Sequence, residues 1–363
     1  MSGNAFGQHL VLTTFGESHG KAIGGILDGM PSGVPVALSV IQSALDRRRP
    51  GHGVVASARK ESDSVEILSG LHPDIDSSGR QLTLGTPIGF VIHNQDQASK
   101  DYGNLSDVYR PGHADYGYEM KYGLRDHRGG GRSSARETAC RVVGGAIASQ
   151  LLGSSVAINA YVSRMAGVAL PDQAKVSLLD ARLHPSGCPD VAVGDAMLDA
   201  VAALLETGDS AGGVITVVVK GVPAGWGEPV FNKLGALIMH AMGSINAVKG
   251  VEIGSGFAAA DRKGSENNDA WTGLGESKSN HAGGIIGGIS TGQDIVARVA
   301  FKPVSSIAKA QNSVNRDGDA VKLSIVGRHD TAVLPRACAI VEAMMALVLA
   351  DCLLLQRIQD PSS

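Results

Sequence analysis

The order of apolar and polar positions along the chain predicts a few short strands and four longer helices. Short β-branched runs bounded by turn residues predict strands at 213–219, 294–301 and 321–326. Apolar residues at helical spacing predict helices at 134–152, 195–207, 232–242 and 335–356. Helices and strands alternate less regularly than in a doubly wound fold. The pattern therefore indicates a mixed α/β or α+β protein.

Two of the predicted helices carry clear start signals. The helix at 134–152 opens on Ser134 and Glu137, which have the spacing of a capping box. The helix at 335–356 begins with Pro335 and is apolar nearly all round, so it is expected to be central. No linker of biased composition divides the chain, so residues 1–363 are predicted to form one domain.

Composition narrows the class of protein. With 43% hydrophobic and 18% charged residues, the chain can bury a large core and is expected to be soluble and globular. A formal net charge of −3 argues against a general nucleic-acid binder, so anionic ligands must be met by local clusters of cations. The 48 glycines indicate many tight turns and backbone placed close to ligands.

The cysteines and the apolar segments indicate where in the cell the protein is expected. The four cysteines lack paired or zinc-like spacing, so reduced core cysteines and a cytoplasmic location are expected. No signal peptide is recognised at the N-terminus. The longest apolar stretch, 337–355, contains Glu342 and Asp351, which favours a buried helix over a membrane span.

The strongest chemical signal is the loop at 126–137 (DHRGGGRSSARE), in which three glycines lead into a predicted helix. Backbone N–H groups at a helix start attract anions, and Arg128, Arg132 and Arg136 lie alongside. The loop lacks the Gly-Lys-Ser/Thr ending of a P-loop, and no G-x-G-x-x-G follows a strand. It therefore predicts a phosphate or carboxylate site of another kind.

Further cations and histidines lie in turn-rich segments. The run Arg47, Arg48 and Arg49 follows a short amphipathic helix predicted at 39–45. Together with Arg110, it suggests a substrate that bears several negative charges. Four histidines stand in Gly- or Asp-rich turns, where catalytic side chains are often presented: His19, His113, His281 and His329. Their spacing does not predict a metal site.

Taken together, these segments resemble the chorismate synthase family, and they occur in that family's order. The matching segments are 13–20 (TTFGESHG), 45–51 (LDRRRPG), 110–115 (RPGHAD), 129–137 (GGGRSSARE), 221–225 (GVPAG), 244–250 (SINAVKG), 280–284 (NHAGG) and 327–330 (GRHD). The resemblance implies an α+β fold with central helices sandwiched between antiparallel sheets, assembled as a homotetramer. It also implies an anti-1,4-elimination of phosphate from 5-enolpyruvylshikimate 3-phosphate, with reduced FMN as cofactor and no net redox change.

The same resemblance implies roles for individual residues. FMN would be held by Arg132, Ser133, Ser134, Asn246, Ala247, Gly287, Lys302, Pro303, Val304, Ser305, Ser306 and Arg328. The substrate's carboxylates and phosphate would be met by Ser18, His19, Arg48, Arg110, Arg132 and Arg336. The catalytic acids and bases would be His19, His113 and Asp330, with both histidines acting as cations.

Two segments carry less of the family pattern. Residues 51–55 have Val54 where some relatives carry a basic residue that contacts a nicotinamide or the substrate, and Arg59 or Lys60 could compensate. Residues 154–193 show no family signature. FAD and NADP are associated with the family through flavin reduction, but the sequence shows no basis for a built-in reductase. An external source of reduced flavin is expected.

Two other functions stay open on the sequence alone. An ordinary flavin oxidoreductase would share the phosphate loop and the flavin contacts, but it would show a net two-electron change. A noncatalytic polyanion or RNA-binding module would suit the arginine-rich segments. The negative net charge and an aromatic content of only 4% count against that module. Neither nucleic acid nor a membrane is expected as a partner.

Overall fold

A computed structural model describes residues 3–49, 63–94, 105–171, 176–325 and 330–360. The helices are α1 (Leu38–Arg48), α2 (Asp115–Tyr122), α3 (Thr138–Leu152), α4 (Leu178–Leu183), α5 (Val191–Glu206), α6 (Leu234–Gly243), α7 (Gly264–Asn267) and α8 (Leu334–Gln359). The strands are β1 (Ala5–Phe6), β2 (Val11–Gly16), β3 (Ala22–Asp28), β4 (Pro35–Ala37), β5 (Val65–Ile67), β6 (Arg80–Leu82), β7 (Ile88–His93), β8 (Ala157–Met165), β9 (Val168–Ala169), β10 (Gly213–Lys220), β11 (Val248–Ile253), β12 (Trp271–Gly273), β13 (Glu276–Ser277), β14 (Ile285–Ile286), β15 (Ile289–Ser290), β16 (Ile295–Phe301), β17 (Gln311–Val314) and β18 (Ala320–Leu323).

Two five-stranded sheets form the outer layers. The first has the order β1-β2-β3-β7-β5, and every neighbouring pair in it is antiparallel. The second has the order β11-β16-β10-β8-β9 and is also antiparallel throughout. Antiparallel sheets that do not alternate regularly with helices define an α+β fold, which confirms the predicted class.

The helices α3 and α8 lie between the two sheets. They pack on each other, while α3 also contacts β2 and β3 and α8 contacts β8 and β10. Two adjacent glycines on α3 allow this close approach. A Cβ on Gly144 would lie 2.9 Å from Leu12 of β2, and a Cβ on Gly145 would lie 2.4 Å from the Cα atom of Ala343 on α8. Central helices between antiparallel sheets are therefore confirmed, and these glycines show how sheet and helix fit.

Most predicted elements exist, but several begin or end elsewhere. The predicted helix at 195–207 begins earlier, at Val191, because the Asp190 side chain accepts a hydrogen bond from the backbone N–H of Val193 at 3.0 Å. The short helix predicted at 39–45 extends from Leu38 to Arg48. The strand predicted at 321–326 is β18, which runs from Ala320 to Leu323.

The helix α8 is the longest helix in the described part of the chain, at 26 residues. By length and composition it could cross a membrane, yet 83% of its most apolar 18-residue stretch is buried inside the protein. It is thus the central core helix that the sequence predicts. The four cysteines are buried and unpaired, and burial raises the pKa of the Cys140 thiol to about 12. They behave as small core residues.

Candidate active site

A cavity of about 1720 Å³ opens where the N-terminal ends of α3 and α8 come together. Its wall is built from the end of β2 and the loop that follows, the start of α2, residues 129–134, the end of α6 with the start of β11, and the loop after β16. The backbone dipoles of α3 and α8 both place their positive ends at this cavity. The fold therefore favours anionic ligands there before any side chain is considered.

The glycine loop shapes one side of the cavity. Gly129 and Gly130 have φ angles of 63° and 85°, which are strained for any residue with a side chain. A Cβ on Gly129 would lie 2.5 Å from the His19 ring, and a Cβ on Gly130 would lie 3.1 Å from the His113 ring. Two adjacent glycines thus let two histidines approach the same stretch of backbone.

The predicted helix at 134–152 begins later than expected. Two short 3-10 turns, Gly131–Ser133 and Ala135–Glu137, precede α3. The Ser134 hydroxyl accepts a hydrogen bond from the backbone N–H of Arg136 at 3.4 Å and so caps the second turn, whereas the predicted capping box would need the N–H of Glu137. Glu137 forms an ion pair with Arg141 at 2.9 Å instead of completing the capping box. The loop therefore reaches α3 through tight turns that keep residues 129–134 at the cavity wall.

Asp115 is the centre of a buried ionic network. Its carboxylate accepts hydrogen bonds from Arg110 Nε at 2.7 Å and Arg110 Nη2 at 2.8 Å. The Nδ1 atom of His113 lies 2.9 Å from Asp115 Oδ1, and Arg125 Nη1 lies 3.4 Å away. Burial by itself would raise the pKa of Asp115, but hydrogen bonds from Arg110 and His113 and their charges hold it well below its usual range. Asp115 is therefore a carboxylate that fixes the His113 ring.

Ser18 and His19 lie on the other side of the glycine loop. Both are buried, at 9% and 7% exposure, and both line the cavity. Within the described part of the chain, the Ser18 hydroxyl is buried without a hydrogen-bond partner. A buried polar atom in that state normally has a ligand or a water to bond to. The geometry suits a contact from Ser18 to a ligand in the cavity.

Arg132 ties the glycine loop to the first sheet. Its guanidinium donates to the Thr14 hydroxyl at 2.8 Å and to the Asn4 side chain at 3.0 Å. It also reaches the carbonyl oxygens of Thr14 and Gly16, both at 3.3 Å. Arg132 lines the cavity, as predicted, but its orientation is set by β2.

The end of α6 and the start of β11 form the wall opposite β2. The Asn246 side-chain amide donates to the Ser133 carbonyl at 3.1 Å, while its Oδ1 atom is buried without a partner among the described residues. Ala247 has a φ of 69°, a left-handed conformation that costs a non-glycine residue about 1 kcal/mol or more. Such strained positions cluster at functional sites, and both residues line the cavity.

The loop after β16 supplies a lysine and two hydroxyls to the same wall. Lys302 Nζ donates to the Gly112 carbonyl at 3.0 Å, and the Lys302 N–H donates to the Ala247 carbonyl at 2.9 Å. Burial, together with the positive charge of Lys249, lowers the pKa of Lys302. The cavity is also lined by the other residues predicted in this loop: Pro303, Val304, Ser305 and Ser306.

Asp330 and Arg336 complete the site at the start of α8. They form an ion pair of 2.5 Å, and both line the cavity. Asp330 is buried at 8% exposure. Arg328, which is also predicted to bind FMN, lies outside the described residues, as do Val54, Arg59 and Lys60.

Two predicted residues are not among the described residues that line the cavity. Arg48 is buried and paired with Asp63 at 2.6 Å, and its Nη1 atom lies 3.4 Å from the Thr138 hydroxyl. Asp63 also binds Arg136. Gly287 is in the turn between β14 and β15, where nothing lies within 4 Å of a Cβ added to it. The structure thus brings most of the predicted site together and places these two apart from it.

Sequence patterns assigned no role to four cations that line the cavity, namely Lys121, Arg125, Arg141 and Lys249. The Arg125 side chain is buried, at 2% exposure, and donates to the carbonyl oxygens of Leu105 at 2.9 Å and Val108 at 3.0 Å. It also binds Glu119 at 3.1 Å. Lys249 lies within the motif at 244–250, so its segment was recognised although its role was not. Their positions depend on contacts between distant segments, which neither periodicity nor spacing reports.

A family model, curated relatives and a solved structure all match this chain to the same family. Residues 10–354 match the family model described as Chorismate synthase. The chain is 51% identical over 352 residues to a chorismate synthase of Christiangramia forsetii, with 97% of each chain covered. It is 50% identical over 368 residues to a chorismate synthase of Desulfovibrio desulfuricans, with 98% of each covered. A solved crystal structure of a chorismate synthase matches with a TM-score of 0.74 at 31% identity, covering 96% of this chain and 93% of that one.

Proposed function

Because the chain belongs to the chorismate synthase family, we propose that the cavity at the start of α3 and α8 is its active site. The chain is a carbon–oxygen lyase of the shikimate pathway, which eliminates phosphate from 5-enolpyruvylshikimate 3-phosphate to form chorismate. The reaction is an anti-1,4-elimination, in which a C–H and a C–O bond break without net oxidation or reduction.

The cavity suits reduced FMN as the cofactor. Ligand sites usually measure about 300 to 1,000 Å³, so 1720 Å³ leaves room for a flavin and a substrate together. The unpartnered Asn246 Oδ1 can accept a hydrogen bond from a ligand, and the hydroxyls of Ser133, Ser134, Ser305 and Ser306 offer polar contacts. When bound, reduced FMN supplies electron density that promotes the departure of phosphate. We assign its binding to residues 132–134, 246–247 and 302–306, and propose the same role for Gly287 and Arg328.

The substrate carries two carboxylates and a phosphate, and cationic side chains held in place can bind these groups. Among the described residues that line the cavity, eight Lys and Arg side chains face five Asp and Glu side chains. Arg132 and Arg336 are held by their neighbours in fixed orientations, so they can bind an anion with little loss of side-chain entropy. Ser18 and Arg110 are assigned to the substrate with them. Arg48 does not line the described cavity. It would support the site indirectly, through Asp63 and the start of α3, or it would reach the substrate by exchanging its ion pair with Asp63 for one with a substrate anion.

The three predicted catalytic residues have distinct tasks. His19, beside the Ser18 hydroxyl, acts as a cation that assists the leaving phosphate. His113, held by Asp115, acts as a second cation and balances negative charge in the cavity. Asp330, held by Arg336, receives and passes on the proton that leaves the broken C–H bond. General acids and bases of this kind typically contribute about 10²- to 10⁴-fold to the rate.

One observation carries the proposal. His19 and His113 lie about 90 residues apart in the chain, yet they contact adjacent glycines of one loop. Any Cβ at Gly129 would overlap the His19 ring, so the glycine is required by the placement of the histidine. A surface turn with solvated charges would have no need for such close contacts.

Anaerobic turnover tests the proposal. The protein is incubated with 5-enolpyruvylshikimate 3-phosphate and dithionite-reduced FMN, and chorismate, phosphate and flavin absorbance are followed together. We expect equal amounts of chorismate and phosphate while the flavin stays reduced over many turnovers. Oxidised FMN under the same conditions is the control and should give no product. One oxidised flavin per product would contradict the assignment and favour a flavin oxidoreductase.

The proposal extends to assembly and location. A homotetramer is supported by large apolar side chains that lie open to solvent, such as Phe231, Phe257 and Leu274, since subunit contacts usually cover such side chains. Light scattering after size-exclusion chromatography tests the assembly. Reduced flavin comes from an external source in the cytoplasm. Adding NADPH and oxidised FMN without a separate reductase should therefore give no turnover.

A further inference from the structure

Lys249 is placed at the cavity by an irregularity in the second sheet. In the pairing of β11 with β16, Val248 lies opposite Phe301 and Gly250 lies opposite Ala300. Lys249 is therefore an extra residue in β11, a β-bulge. Bulges turn a side chain away from its regular direction and are frequent beside active sites. Here the bulge accompanies a Lys249 side chain that lines the cavity.

The same irregular segment fixes the position of Lys302. This residue directly follows the last residue of β16, Phe301, and its N–H donates to the carbonyl of Ala247, two residues before Lys249. Ala247 holds a left-handed backbone conformation with a φ of 69°. One strained residue and one bulge thus position two lysines on the same wall of the cavity.

The two lysines differ from four of the arginines that line the cavity in how their charge is balanced. Arg110, Arg125, Arg141 and Arg336 each form an ion pair with a carboxylate. Lys249 makes no ion pair or hydrogen bond within the described part of the chain, and the contact found there for the Lys302 ammonium is the Gly112 carbonyl. The positive charge of Lys249, after burial, lowers the pKa of Lys302, which places the two ammonium groups within electrostatic reach.

We propose that Lys249 and Lys302 together bind a phosphate monoester in this cavity, with Lys249 as a phosphate ligand in its own right. Two neighbouring cations without a carboxylate repel each other, and a dianion between them removes that repulsion. A compact ammonium group is a common phosphate ligand. The phosphate belongs either to FMN or to the substrate. This inference rests on the proposed function, since both ligands come from it.

Binding measurements distinguish the two phosphates. The wild-type protein, Lys249→Ala and Lys249→Arg are titrated with FMN and with riboflavin, which lacks the phosphate, and flavin fluorescence is followed. The same proteins, saturated with FMN, are titrated with 5-enolpyruvylshikimate 3-phosphate by calorimetry. Lys263→Ala, at an exposed lysine that does not line the described cavity, is the matched control. Circular dichroism checks that each variant is folded.

If the FMN phosphate is the ligand, Lys249→Ala weakens FMN binding about 10- to 100-fold and leaves riboflavin binding unchanged. If the substrate phosphate is the ligand, FMN binding stays at the wild-type level and substrate binding weakens by a similar factor. In either case Lys249→Arg restores most of the affinity, because the positive charge is kept.

Unchanged affinity for both phosphate ligands in Lys249→Ala would overturn the two-lysine site and leave the proposed function intact. An equal loss of FMN and riboflavin binding would also overturn it, because that would show a general disturbance of the wall. A wild-type protein that bound neither flavin would refute both this inference and the proposed function.

Discussion

Replacing Asp115 by asparagine removes the carboxylate that the structure surrounds with the most cationic donors in the candidate active site. Asp115 is 2% exposed. It accepts two hydrogen bonds from the Arg110 guanidinium, and His113 and Arg125 contact it as well. Asparagine has nearly the same shape, but it loses the charge and turns an N–H₂ group toward other donors.

The expected effect on stability follows from this geometry. Removing one partner of a buried ion pair typically costs about 3 to 5 kcal/mol, because a buried charge is left without its counterion. Arg125 keeps Glu119 as a partner, whereas Arg110 loses both of its charge-assisted hydrogen bonds to Asp115. We therefore expect the free energy of unfolding to fall by about 3 to 5 kcal/mol in Asp115→Asn. The His113 ring loses its anchor at the same time, so turnover should fall as well.

Urea denaturation at fixed protein concentration, followed by circular dichroism, measures this loss. The matched control is Asp46→Asn, whose carboxylate is 52% exposed and lies 3.4 Å from Arg49. An exposed pair of this kind contributes about 0 to 1 kcal/mol. Equal losses of stability in the two variants would refute the view that Asp115 is the counterion of a buried network.

The pH dependence gives an independent check on the same carboxylate. The pKa of Asp115 in the folded protein is lowered by its hydrogen bonds and by the charges of its partners. Its contribution to stability is therefore complete above the unfolded carboxyl pKa of about 3.9, and it is lost as the pH falls toward the lower folded value. The difference between wild type and Asp115→Asn should not shrink between pH 7 and about pH 5, and it should shrink only below about pH 4. A difference that shrank between pH 7 and pH 6 would point to another group.

Three further predictions concern the residues around this network. Arg132→Ala should weaken both FMN and substrate binding by about 1.5 to 3 kcal/mol each, measured by titration, and unchanged affinities would show that the glycine-loop site is wrong. Single-turnover phosphate release under reduced, anaerobic conditions should slow at least about tenfold, with FMN binding retained, in His19→Ala, His113→Ala and Asp330→Asn. Near-normal release in one of them would remove that residue from the mechanism. Gly129→Ala should lose more stability and more turnover than Gly123→Ala, because both have positive φ but only Gly129 would place a Cβ within 4 Å of other atoms, against the His19 ring. Equal losses would show that backbone strain alone acts there.

Local signals in the sequence predicted the elements well where the element is self-contained. The helix α8 follows from an apolar run that begins near Pro335, and it is buried as expected. The start of α3 was placed four residues too early, at Ser134 instead of Thr138. A capping box is read from two residue types at a fixed spacing, but Glu137 has a stronger partner in Arg141, one turn further along the helix. Competition of this kind is decided by three-dimensional geometry.

The candidate site shows the same division between local and distant information. The segment at 110–115 contains a cation, a histidine and a carboxylate close together, so a functional turn could be predicted from it. The ion pairing within this segment could not be predicted, because the spacing of the residues does not tell whether Arg110 contacts Asp115 or a ligand. Arg48 is a clearer case, since the carboxylate that holds it, Asp63, lies fifteen residues away across a segment outside the described structure.

The number of arginines in a sequence is therefore a poor measure of the charge that a ligand meets. Arginines paired with carboxylates add little net charge, but their orientation is already fixed when the ligand arrives. Fixed donors stabilise a developing charge without the cost of reorganising around it. Net attraction for an anion then comes from the helix ends of α3 and α8 and from cations without a carboxylate partner, such as Lys249. On the proposed function, a site built in this way would separate two tasks, because the paired arginines would orient the substrate while the helix ends and lysines would supply the net charge that binds it.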